Sequence, residues 1–191
     1  MNLRSVSASL SLVPVALLAA CSLPSSPSSA PPYVVATLQP TAGNQASGTA
    51  WFVRQGSDVL VRARVTGLKP NQEHGFHVHE KGDCSAPDAT SAGGHFNPDG
   101  KPHGPQAGPH HAGDMPSLKA DAAGVADYSA TVHGSVLDGS AGDLAGKGLV
   151  VHANPDDYTT QPTGNSGARI ACGVIGKVAG QDASGRAVPL P

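Results

Sequence analysis

His77 and His79 form a His-x-His pair within His74-Gly75-Phe76-His77-Val78-His79, and His95 follows in Gly94-His95-Phe96-Asn97-Pro98. His103, the His-x-x-Asp pair of His111 and Asp114, and His152 in Leu149-Val150-Val151-His152 complete a set of seven ligand-type side chains. That is too many for one tetrahedral ion and enough for two sites that share a ligand. Residues two apart on a strand project from one face, so His77 and His79 can grip a single ion from rigid backbone. His152, ending another apolar run, adds a third imidazole. Three or four neutral imidazoles in a tetragonal arrangement suit copper(II) better than calcium or magnesium, which take oxygen. His103, His111 and Asp114 offer two nitrogens and one oxygen, and one more imidazole would make the closed tetrahedral set that structural zinc prefers. His95 lies between the two groups. A deprotonated imidazole ligates through both ring nitrogens, so one residue can bridge both ions.

The elements that must hold these residues read as strands. With 24 Gly and 17 Pro, most helices would be broken. Short apolar runs recur instead at 33–38, 48–54, 59–65, 74–79, 125–132, 149–152 and 171–178. Within the third run Val61, Ala63 and Val65 share one face, and Arg62 and Arg64 the other. Alternating strands between turn-rich segments predict an antiparallel sandwich or barrel. Two connections, 80–118 and 153–170, are long and rich in Gly, Pro and Asn. Loops of that length in a single domain are commonly functional, and these two contain or border most of the ligand-type residues.

The chain of 191 residues opens with Arg4 and an apolar stretch from Leu10 to Ala20, which reads as a secretory signal over residues 1–20. Leu18-Ala19-Ala20-Cys21 resembles the bacterial lipobox, in which Cys21 becomes the lipidated first residue. Residues 22–32 are Ser/Pro-rich and read as a solvated tether. One domain is expected over 33–178, with a tail at 179–191 that shows no chemistry of its own. The expected address is a bacterial cell envelope, with membrane attachment only through lipid on Cys21. A formal net charge of −2 and the lack of a Lys/Arg run argue against a nucleic-acid role. Cys84 and Cys172 remain after Cys21; in an exported domain they favour one disulfide, with two free thiols as the alternative.

The motifs Gly75-Phe76-His77-Val78-His79, Gly94-His95-Phe96-Asn97-Pro98, His111-x-x-Asp114 and Gly167-Ala168-Arg169-Ile170-Ala171-Cys172-Gly173 closely resemble the Cu/Zn superoxide dismutase family, over about residues 33–177. The resemblance implies a Greek-key antiparallel β-sandwich or barrel of immunoglobulin-like type. It implies one copper on His77, His79, His95 and His152, and one zinc on His95, His103, His111 and Asp114. By the same resemblance Cys84 and Cys172 pair as the family's disulfide. The resemblance further implies that Arg169 is the cation beside the open copper face, and that Asp156 links a copper histidine to a zinc histidine, here His77 and His103. The implied reaction is dismutation of superoxide, with His95 leaving reduced copper and taking a proton. The implied assembly is a monomer or homodimer.

Three histidines fall outside the pattern. His74 is expected to bond backbone, His133 to lie on the surface, and His110 to yield to its neighbour His111, whose spacing to Asp114 fits. Rival functions are an exported copper or zinc buffer, a zinc hydrolase, and a structural lipoprotein without catalysis. Arg169 argues against the first, since a buffer needs no cation beside its metal. A zinc set with four protein ligands argues against the second, and retention of every ligand against the third. Residues 153–168 contain no lysine, so cationic steering would fall to Arg169, with Lys81 and Lys101 as the other candidates.

Overall fold

Alternating apolar and polar side chains build three antiparallel strands in a meander: β1 (Tyr33–Pro40), β2 (Ser47–Gln55) and β3 (Asp58–Thr66). In β3, Val59, Val61, Ala63 and Val65 are buried while Arg62 and Arg64 face solvent. The chain continues through β4 (Glu73–His74), β5 (Phe76–His79), β6 (Leu118–Lys119), β7 (Ala126–Val132), β8 (Gly148–His152) and β9 (Arg169–Val174). This computed structural model describes Met1 and residues 33–191. The expected signal segment, Cys21 and the 22–32 tether lie outside the described residues, apart from Met1. Among the described residues there is one 3-10 turn, Thr90–Ala92, and no α-helix.

Seven strands form one antiparallel sheet in the order β5-β8-β9-β1-β2-β3-β7, and β4 pairs with β6. β4 runs into β5 through Gly75 alone, and β6 turns into β7 around residues 121–125. The small pair therefore closes the seam between the two ends of the curled sheet. The connections β3–β4 and β7–β8 each pass over to a strand that is not a neighbour, giving a Greek-key barrel. The all-β expectation holds, with two differences in detail. The last strand begins at Arg169 rather than 171 and stops at Val174, because Gly176 turns its N–H to Val35 O (2.8 Å). β6 has only two residues and no readable period.

The barrel interior holds one apolar cluster that includes Leu38, Phe52, Val61, Phe76, Val78, Leu118, Leu149 and Val151. Since Phe76 and Val78 point into it, His77 and His79 must point out. All four β5 residues are nonetheless buried, because the 80–118 connection lies over this outer face. The register explains what else shares it: His77 pairs with Val150, and Val150 with Cys172. A second, smaller apolar cluster of Ala89, Ala92, Val150 and Cys172 fills the space beside the histidines. The Cys84–Cys172 disulfide, with Cα atoms 5.8 Å apart, ties the loop down at that point.

The tail at 179–191 packs back on the start of the domain. Gly180 N donates to Tyr33 O (2.8 Å), Tyr33 Oη to Val188 O (3.1 Å) and Trp51 Nε1 to Pro189 O (2.8 Å).

The disulfide closes a separation of 88 residues, for which chain entropy gives a stabilisation of about 4 kcal/mol. Cys84→Ser with Cys172→Ser is expected to lower the urea unfolding free energy by about 2–4 kcal/mol, and limited proteolysis should then cut first within 84–92. Unchanged stability and protease resistance would show that the small apolar cluster holds the loop unaided.

Candidate metal centre

β5 carries His77 and His79, and the segments bearing the next ligands are hydrogen-bonded to its free edge. Val78 N donates to Gly113 O and Phe96 N to Val78 O, both at 2.8 Å. Isolated bridges match His79 with His95 and His77 with Asp114. Gly113 is required here, since a Cβ would strike Val78 O and Phe96 N. His152 ends β8 at an irregularity in the β8–β9 pairing, where its N–H donates to Gly75 O (2.8 Å). The structure thus brings His77, His79, His95 and His152 into one group and His95, His103, His111 and Asp114 into a second. In each group one ligand atom from every residue lies within 4.8 Å of the others, and every member is buried.

Which nitrogen each ring offers follows from what the other one bonds. His77 Nε2–H donates to Asp156 Oδ2 (2.7 Å), His79 Nδ1–H to Gly93 O (2.9 Å) and His152 Nδ1–H to Gly167 O (3.2 Å). This leaves His77 Nδ1, His79 Nε2 and His152 Nε2 for the first group, the last two only 3.3 Å apart. His95 turns Nδ1 to Asp114 Oδ1 (2.8 Å) and its Nε2 is buried without a hydrogen-bond partner. In the second group the Nδ1 atoms of His95, His103 and His111 lie 2.8, 2.9 and 3.3 Å from the same carboxylate oxygen, Asp114 Oδ1. His77 Nδ1 and His103 Nδ1 are also buried without a hydrogen bond of proper geometry. Each such atom costs about 1–3 kcal/mol unless it is satisfied. A cation in each group satisfies all of them, so the residues present fit copper in the nitrogen-only set and zinc in the set with a carboxylate.

The electrostatics agree. Burial pulls His79 down to about 2, His152 to about 3 and His77 to about 4, so these rings are neutral near pH 7 and keep a lone pair to donate. Burial also opposes charge on His103, but hydrogen bonds to Asp114 and Asp156 outweigh it and raise that ring to about 9. Asp114 and Asp156 are held well below the usual carboxylate range by the histidines they bond, in spite of burial.

Asp156 spans the two groups, with Oδ2 on His77 and Oδ1 on His103 Nε2 (2.9 Å). Arg169 donates to Ala89 O and Gly93 O, both at 2.6 Å, and Gly93 O is also the acceptor for His79. The guanidinium is therefore one carbonyl away from a first-group ring. It lines a surface cleft of about 450 Å³ with Thr41, Pro87, Asp88 and Thr90. Lys101 is paired with Asp99 (2.9 Å), and Lys147 lies over the Phe96 ring. His74 Nδ1–H donates to His152 O (2.8 Å), His133 pairs with Asp58 at the surface, and His110 bonds Gly108 O outside both groups.

Sequence reading missed Gln161. Its amide accepts from His103 N (2.8 Å) and donates to His103 O (2.9 Å), pinning a zinc-type residue through its main chain. Ser117 and Tyr158, whose hydroxyls bond each other (3.2 Å), were missed as well.

Comparison with known proteins gives one consistent result. The family description copper/zinc superoxide dismutase (SODC) matches residues 46–175. A protein of Aquifex aeolicus (strain VF5) named superoxide dismutase [Cu-Zn] 2 is 45% identical over 135 residues, 67% of this chain and 78% of that one. The extracellular superoxide dismutase [Cu-Zn] of Drosophila melanogaster is 39% identical over 153 residues, 75% of this chain and 82% of that one. The crystal structure of a SOD-like protein from Bacillus subtilis superposes with a TM-score of 0.67 at 36% identity, covering 73% of this chain and 96% of that one.

Gly164, at φ 64°, packs where a Cβ would collide with Asp156 Oδ1 and His103 Nε2. Gly164→Ala is expected to weaken zinc about tenfold or more, in the range seen when such supporting carboxylates are lost, as measured by chelator competition. Zinc binding as tight as in the parent would show that Asp156 does not support His103.

Proposed function

Since the chain belongs to the copper/zinc superoxide dismutase family, we propose that its two buried groups hold one copper and one zinc and that it dismutates superoxide in the bacterial cell envelope. The observation that carries this reading is the convergence of two complete donor sets on one shared ring, His95. His77 Nδ1 and the Nε2 atoms of His79, His95 and His152 would hold copper. The Nδ1 atoms of His95, His103 and His111, with Asp114 Oδ1, would hold zinc. When bound, copper supplies one-electron redox chemistry, so that two superoxide anions and two protons give dioxygen and hydrogen peroxide.

The remaining work falls to side chains. Arg169 keeps a permanent positive charge beside the first group and binds the anion there. Its two carbonyl bonds fix the guanidinium plane, so little order has to be gained when the anion arrives. His95 Nε2, buried without a hydrogen-bond partner, would hold copper and, when free of it, would take up a proton and pass it to the peroxide as it forms. Asp156 and Gly93 O fix the tautomers of His77 and His79, so each ring presents one nitrogen to the metal. Asp88 lines the same cleft as Arg169 and works against anion attraction there.

The address rests on residues 1–32: a signal over 1–20, lipid on Cys21 and a Ser/Pro tether at 22–32, with the domain following in the sequence at 33–178. The Cys84–Cys172 bond agrees with an oxidising compartment. A metal buffer remains the second reading, and the fixed position of Arg169 disfavours it.

Metal analysis and superoxide consumption on one purified sample test the proposal. One copper and one zinc per chain are expected, with activity lost on copper removal and restored by its return. Both metals without activity would leave the buffer. Arg169→Ala is expected to retain both metals and to lower kcat/KM about tenfold, the low end for a cleft charge that concentrates and steers an anionic substrate, with a shallower dependence on ionic strength. An unchanged rate and salt profile would reduce Arg169 to a loop fastener.

A further inference from the structure

The two carboxylates on either side of the His103 ring come from different connections, Asp114 between β5 and β6 and Asp156 between β8 and β9. A phenol is among the groups that join the two segments. Tyr158 Oη accepts from Ser117 N (2.8 Å) and donates to Ser117 Oγ (3.2 Å), and Ser117 Oγ accepts in turn from Asp156 N (3.4 Å). The N–H of Tyr158 itself donates to Asp156 Oδ1 (2.7 Å), the oxygen that faces His103. Ser117 is buried, stands three residues after Asp114 and immediately precedes β6, while Tyr158 stands two residues after Asp156.

The backbone at Tyr158 strengthens the case. Its φ of 57° lies in the left-handed region, where a large aromatic residue is costly by about 1–3 kcal/mol and Gly or Asn would rest more easily. A tyrosine kept in that conformation points to a demand for the reach of its hydroxyl.

We propose that Tyr158 is a positioning residue for the zinc set. Its phenol fastens the Asp156 segment to the Asp114 segment, so that the two carboxylates meet His103 from opposite sides at hydrogen-bonding distance. Tyr158 touches neither metal nor substrate and acts through Asp156. The inference rests on the two-metal reading given above.

A double-mutant cycle on the full chain tests it, with zinc itself as the probe. Zinc affinity is measured by competition with a chromophoric chelator in the parent, Tyr158→Phe, Asp156→Asn and the double variant, and thermal unfolding is recorded on each. Tyr158→Phe is expected to weaken zinc about tenfold, the lower end for outer support of a metal ligand, and to shift the His103 Nε2–H proton resonance. In the Asp156→Asn background it should cost no further zinc affinity, although it lowers the unfolding midpoint in both backgrounds. Ser117→Ala, which deletes the hydroxyl joining the phenol to Asp156 N, carries the same cycle if Tyr158→Phe does not accumulate. Zinc affinity equal to the parent's in Tyr158→Phe overturns the proposal, and so does a loss that simply adds to that of Asp156→Asn. A parent chain that binds no zinc at all would instead remove the two-metal reading and this inference with it.

Discussion

Buried ring nitrogens need partners, and His95 has to find one on each side of its ring. Its Nδ1 faces Asp114 in one group and its Nε2 faces the histidines of the other, with almost no solvent at either. A neutral imidazole carries only one proton, so hydrogen bonding within the protein cannot satisfy both sides in this setting. Two cations sharing the ring can. The six other ligand-type side chains are placed so that each presents a free donor atom to one of those two positions, and the outer supports act on the far nitrogens of the same rings.

That requirement explains how two long, Gly- and Pro-rich connections can be ordered. The barrel supplies a rigid outer face on β5, β8 and β9 where His77, His79, Val150, His152 and Cys172 stand together. The 80–118 connection is fastened to it by main-chain bonds to Val78, by the disulfide and by the two carbonyl bonds of Arg169. The 153–168 connection is fastened to the first loop through Gln161 and Tyr158. The same contacts hold the Arg169 guanidinium at the cleft.

How much of this was legible beforehand depended on sequence separation. The β3 alternation is local and its burial follows it residue by residue. The ligand-type residues were legible because metal chemistry restricts residue types and because His-x-His and His-x-x-Asp are short patterns. β6 was not, since two residues carry no period, and the start of β9 was not, since it depends on the irregularity at Val151 and His152. Ser117, Tyr158 and Gln161 carried no signal, because each acts on a partner 41 to 58 residues away through ordinary hydroxyl or amide bonds. The tail could not be read for a similar reason: its carbonyls at Val188 and Pro189 accept bonds from Tyr33 and Trp51, far back in the chain.

The shared ring can be examined without reference to turnover. Copper(II) binds nitrogen-rich sites more tightly than zinc does, so excess copper(II) fills both groups. Two copper(II) spins joined by one deprotonated His95 imidazole will couple, and the electron paramagnetic resonance signal at low temperature should fall far below that of two isolated ions. Full intensity from two independent copper(II) centres in the doubly loaded protein would contradict the central claim that His95 holds both metals at once.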